Sequence, residues 1–170
     1  MKRIRIFIVI VFLSTGLACG QARLVLAAGE STGAQALASL SSGKVVWDIN
    51  TSSPARLALY LGVIAETYDD LLRQGVKPDM VFAFRGESLR IISSEHEQIT
   101  LRSMPEIDQS ARLIQALLQR PGVRMEACSI AARIAKVDTG KILHGIRPVK
   151  NTFVSLIEYQ RLGYAMIPID

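Results

Sequence analysis

Cys128 is the residue of this chain best equipped for covalent chemistry. An apolar run, Val123-Arg124-Met125-Glu126-Ala127, stops at it, and a helix-like run from Ser129 to Ile134 begins directly after. A thiol at such a junction lies near unpaired backbone amides, which favour negative charge, lower its pKa and raise the fraction present as nucleophilic thiolate. The same place also suits a small buried apolar side chain at a strand end, so residue type and position leave both readings open.

In an open α/β sheet, ligands collect outside the carboxyl ends of the strands. The groups expected there besides Cys128 are Asp48, Asn50 and Thr51, then Arg85 with Gly86, then Ser129, and then Lys150 and Asn151, of which Asn50, Arg85, Gly86, Ser129 and Lys150 are the candidate binding residues. Arg85 and Lys150 would stabilise a thiolate or an anionic ligand if either lies close. Their plain roles are solvated surface charges, and Asn50 serves equally well as a turn residue. His96, in Ser94-Glu95-His96-Glu97, reads as an exposed polar residue, and His144 before Gly145 as a turn or helix-end residue. One cysteine with two distant histidines gives no zinc spacing, so no metal is expected. Without a GxGxxG turn or a phosphate-binding P-loop, no nucleotide cofactor is expected either.

The elements that must position these residues belong to a chain of 170 residues, 49% hydrophobic and only 6% aromatic, which suits one domain with an aliphatic α/β interior. Residues 1–28 are different in kind. Lys2, Arg3 and Arg5 form a positive end, Ile6 to Leu13 is apolar, and small residues follow, which is the layout of a secretory signal peptide. Gly16-Leu17-Ala18-Cys19 offers a second reading as a lipoprotein signal ending before Cys19, which would then carry lipid, although Gly16 stands where that motif usually has a larger aliphatic residue. The expected location is therefore outside the cytoplasm, in the periplasm. Contact with membrane is expected only through the signal peptide or that lipid.

Export also decides the charge and the thiols. The formal charge is +5, but four basic residues precede Ala28, leaving 16 basic against 15 acidic. With no basic stripe and no interleaved aromatics, nucleic-acid binding is not expected. If Cys19 is removed, Cys128 is the remaining thiol and no intramolecular disulfide can form.

Residues 29–43 read as a flexible lead-in and residues 44–170 as the folded domain. Val45 to Ile49 is a first strand. Ser53 caps a helix with Pro54 in its first turn and an inner face of Leu57, Leu61, Ile64, Tyr68, Leu71 and Leu72, and Gly75 ends it. Met80 to Phe84 is apolar at every position, as expected for a central strand buried on both faces. Ser103-Met104-Pro105-Glu106 fits a capping box opening a helix with Ile107, Ala111, Ile114 and Leu118 inside, which stops at Pro121-Gly122. After the strand ending at Cys128 come a short helix, a polar turn at Asp138-Thr139-Gly140, a short strand near Gly145 to Val149, and a last helix with Phe153, Leu156, Ile157 and Leu162 inside. This alternation gives a three-layer α/β/α sandwich on a mostly parallel sheet of about five strands.

Phe84-Arg85-Gly86-Glu87-Ser88-Leu89, Gly122 to Cys128, and Asn151 to Ala165 with its Gly-Tyr-Ala ending lie in the order found in DsrE/DsrF-like proteins, and from Lys44 to Ile169 the chain resembles that family. The resemblance implies a sulfur-relay domain of the same three-layer fold that assembles as a homo-oligomer, a trimer or hexamer. It implies that Cys128 accepts sulfane sulfur as a persulfide from a donor protein and passes it to an acceptor thiol, acting as a sulfurtransferase-like carrier. This chain has Ser129 where many relatives have glycine, and Arg85-Gly86 where many have His-Gly. Two other readings stand beside it: an oligomeric, non-catalytic binding module with a structural Cys128, and a thiol redox sensor.

Overall fold

The computed structural model describes residues 40–95 and 100–170, so the signal peptide, Cys19, most of the lead-in and His96 lie outside the described residues. Five strands, β1 (Ser42–Ile49), β2 (Lys77–Phe84), β3 (Val123–Cys128), β4 (Arg147–Val149) and β5 (Ala165–Ile169), form one sheet in the order β4-β3-β2-β1-β5. Every pairing is parallel. The first strand starts at Ser42, before the expected Val45, because Ser42, Gly43 and Lys44 pair with Lys77, Pro78 and Asp79 on β2.

The strand order fixes where the helices lie. From β1 to β4 the chain moves steadily in one direction across the sheet, so right-handed crossovers put α1 (Pro54–Arg73), α3 (Met104–Leu118) and α4 (Ser129–Ala135) on the same face. The jump from β4 back past β1 to β5 runs the other way and puts α5 (Thr152–Arg161) on the opposite face. Packing agrees. Trp47, Ile49, Phe82, Phe84 and Met125 share a core with Leu57, Leu61, Ile114 and Leu117, whereas Val46, Val81 and Ala83 meet Leu156 of α5. The short helix α2 (Ser88–Ile91) follows β2, and Leu89, Ile91 and Ile92 are buried with the first core.

Local chemistry explains most boundaries. The Ser53 hydroxyl accepts from the Arg56 amide, Pro54 opens α1, and Gly75 follows it at φ +74. Met80 to Phe84 is fully buried, as its continuous apolarity required.

Three expectations fail. Ser103 lies at the end of a 3-10 turn with φ −94 and ψ 1, so its hydroxyl turns to Thr100 instead of capping α3, and Pro105 has no amide to offer. Helix α3 therefore starts without the capping box and buries Ser110 and Leu117, while Ala111 and Leu118 are only half-buried. Leu72 of α1 points outward. On α5 only Thr152 and Leu156 are buried, and Phe153, Ile157 and Leu162 are 56–61% exposed.

Candidate functional site

The crossovers that follow β3 and β4 leave toward opposite faces of the sheet, so their loops part and open a crevice between two neighbouring strand ends. Cys128 is the last residue of β3 and Asn151-Thr152 begins α5 just after β4. Between them lies a cleft of about 290 Å³. Arg85 and Gly86 from the end of β2 line it, with Cys128, Asn151, Thr152 and Phe153, and Ile130, Ala131, Ile134 and Ala135 of α4 form an apolar wall.

Cys128 as a residue is 6% exposed. Burial alone would push its pKa up, since the thiolate loses hydration. Four donors outweigh that loss: the Thr152 hydroxyl, the Thr152 amide, and the amides of Ala131 and Ile130 together hold the Cys128 pKa below the ordinary thiol value. The sulfur thus faces the first amides of two helices. Thr152 is 1% exposed, and no other polar group claims its hydroxyl, so its proton can turn onto a thiolate.

Arg85 is fixed by two-point contact with Asp48, Nε to Oδ1 at 2.6 Å and Nη2 to Oδ2 at 2.9 Å. Hydrogen bonding to Asp48 is the main reason its guanidinium pKa stands above the usual value, and the negative charge of a Cys128 thiolate adds to it. The Arg85 guanidinium also sits 5.5 Å from the centre of the Phe153 ring. Gly86 turns the chain at φ +57, and a Cβ there would overlap Asn50 Oδ1. Asn50 therefore braces the cleft from behind rather than lining it. Ser129 is half-buried in the first turn of α4, Lys150 is exposed in the bend before α5, and neither lines the cleft. His144 is an exposed turn residue whose carbonyl accepts from Gln115.

Sequence reasoning missed Thr152 and the apolar wall. Thr152 was readable as a cap residue and nothing more, but the partner it serves, 24 positions away, becomes visible only once β4 is placed beside β3. Farther along the same sheet face, the buried Glu126 accepts from Arg147 at 2.6 Å and from the Tyr159 hydroxyl at 3.1 Å, and Tyr164 and Arg124 both bond Asp79. These pairs pin α5 and the segment after it onto the sheet. Among the described residues no cluster of His, Cys, Asp or Glu could hold a metal ion, and no helix is long and apolar enough to cross a membrane.

No family model matches the chain. It is similar to an uncharacterized protein of Aquifex aeolicus (strain VF5), with 22% identity over 125 residues that make up 74% of this chain and 55% of that protein. The chain thus spans about half the length of this curated relative. Among solved structures it is similar to the protein of unknown function MTH1491 from Methanobacterium thermoautotrophicum, with a TM-score of 0.59 and 19% identity over 75% of this chain and 99% of that one. This likeness shows the three-layer fold.

Proposed function

We propose that the protein is an exported, DsrE/DsrF-like homo-oligomeric sulfur carrier whose Cys128 binds or relays sulfane sulfur as a persulfide. The reading rests on the cleft beside Cys128, where the buried Thr152 hydroxyl has no hydrogen-bond partner, and on the Thr152, Ala131 and Ile130 donors that lower the thiol pKa. A structural cysteine needs no such donors. Sulfur carriage needs them in both of its states, because thiolate and persulfide anion each place negative charge in the same small space.

The chemistry balances without an outside oxidant. The Cys128 thiolate attacks the outer sulfur of a donor persulfide, R–S–SH. A new S–S bond forms as the donor's own S–S bond breaks, and R–S⁻ leaves with the electron pair. Delivery repeats the step in reverse, with an acceptor thiolate attacking the outer sulfur of Cys128–S–SH. Arg85 lines the cleft but is paired at two points with Asp48, so the donors at the sulfur, rather than a free cation, favour the anion in both steps. The family resemblance supports assembly as a trimer or hexamer, and the exposed apolar side chains of α5 and β5 are consistent with it. The layout of residues 1–28 supports export.

Intact mass of the folded protein before and after exposure to a persulfide donor tests the reading. A gain of one sulfur atom is expected, reversed by reductant and absent from Cys128→Ser. A folded protein whose Cys128 stays unmodified would leave the binding-module reading in its place, and a reductant-sensitive dimer with no sulfur gain would favour the redox sensor.

A further inference from the structure

We propose that the donor this cleft accepts is a small organic hydropersulfide with an uncharged apolar or aryl substituent, rather than an inorganic or multiply charged sulfur anion; this rests on the reading of Cys128 as a sulfur acceptor. The wall beside the thiol is Ile130, Ala131, Ile134 and Ala135, with Phe153 across from it. Ile134 and Phe153 line the cleft yet keep 73% and 58% of their surface exposed, so they offer apolar area that a ligand would remove from water.

The charges at the cleft cancel. Arg85 is matched by two contacts to Asp48, and Glu87 is paired with Arg90 at 2.6 Å. No lining cation is left uncompensated to offset the desolvation of a dianion, and Lys150 stands outside the lining. Size agrees with a small ligand. A cavity of about 150 Å³ accepts benzene, so a cleft of about 290 Å³ holds an aryl ring together with a methylene and two sulfur atoms. At its inner end the buried Thr152 hydroxyl, without another partner, is placed for the sulfur. In the step itself the Cys128 thiolate takes the outer sulfur of R–CH₂–S–SH, the S–S bond of the donor breaks, and R–CH₂–S⁻ leaves and is protonated by solvent.

Benzyl hydropersulfide and 4-sulfobenzyl hydropersulfide differ in one remote charge and little in reactivity at sulfur. Loading of Cys128 by each is followed by intact mass and divided by the rate of the same donor with free cysteine. The benzyl donor is expected to load roughly tenfold faster on this normalised scale, the order set by burying an aryl group in a half-open cleft. Ile134→Ser is expected to slow the benzyl donor severalfold and leave the sulfonated one unchanged. Equal normalised rates, or a faster sulfonated donor, would overturn the donor class while carriage stands. Loading by neither would overturn carriage. In that event Cys128→Ser titrated with benzyl thiol and 4-sulfobenzyl thiol still decides the preference of the cleft: shifts of the Ile134 and Phe153 resonances with the benzyl compound alone support it, and shifts with both or neither refute it.

Discussion

At the scale of single residues, the acidity of Cys128 is a contest between burial, which raises the thiol pKa, and Thr152 with three amides, which lower it. Removing one hydroxyl should tip it. Thr152→Val keeps the volume, so the fold should hold, and the rate of iodoacetamide modification at neutral pH should fall severalfold because the thiolate fraction drops. The same contest sets a pH dependence. With the folded pKa below that of the unfolded chain, the native state releases its proton first, and wild type should gain stability over Cys128→Ser as pH rises from the folded toward the unfolded value. That gain should disappear as pH falls below the folded pKa. Each unit of depression is worth about 1.4 kcal/mol in paired urea titrations across pH. Cys128, Arg85 and Gly86 were legible from the strand-end pattern alone. Lys150 was placed correctly in the chain but not in the cleft, because residues one apart at the start of a helix point in different directions.

At the scale of elements, sequence reading succeeded where local chemistry decides and failed where packing does. Ser53, Pro54 and Gly75 bound α1 as expected, since cap, ring and positive φ are properties of those residues themselves. The box at Ser103 had the right residues but the wrong backbone, and α5 had a helical apolar period with no neighbouring helix on its face of the sheet to cover its flanks. Two glycines separate strain from crowding. Gly163 and Gly122 share nearly the same φ, +83 and +81, but a Cβ at Gly163 meets open space, whereas at Gly122 it would overlap the Pro78 carbonyl at the entry to β3. Gly163→Ala should cost about 1 kcal/mol in urea unfolding, the penalty of the left-handed conformation. Gly122→Ala should cost at least twice that, and equal losses would mean that β2 and β3 part easily at this end.

At the scale of the domain, the described residues cover the sheet unevenly: four helices lie on one face and α5 alone on the other. Phe153, Val154, Ile157 and Leu162 on α5, with Met166 and Ile167 on the edge strand β5, leave apolar surface in water. If copies of the chain associate through this side, Ile157→Glu should shift sedimentation toward the monomer with little change in the unfolding midpoint, since the side chain is 61% exposed in its own chain. Unchanged sedimentation would remove this helix from any interface. None of this was readable beforehand, because strand order decides how many helices share a face, and order is not written in any one segment.

The position of the thiol between two helix starts has one more consequence, for the history of the chain. Cys128 and Thr152 are separate in the chain, and Thr152 comes beside the sulfur only when β4 has joined β3, Cys128 pairing with Val149. Until that pairing forms, the sulfur has at most the amides of α4 and lacks the Thr152 hydroxyl and amide that favour its thiolate. The lowered pKa of the thiol is therefore completed by tertiary structure, and a chain in which β4 has not joined β3 carries a less acidic cysteine than the folded one.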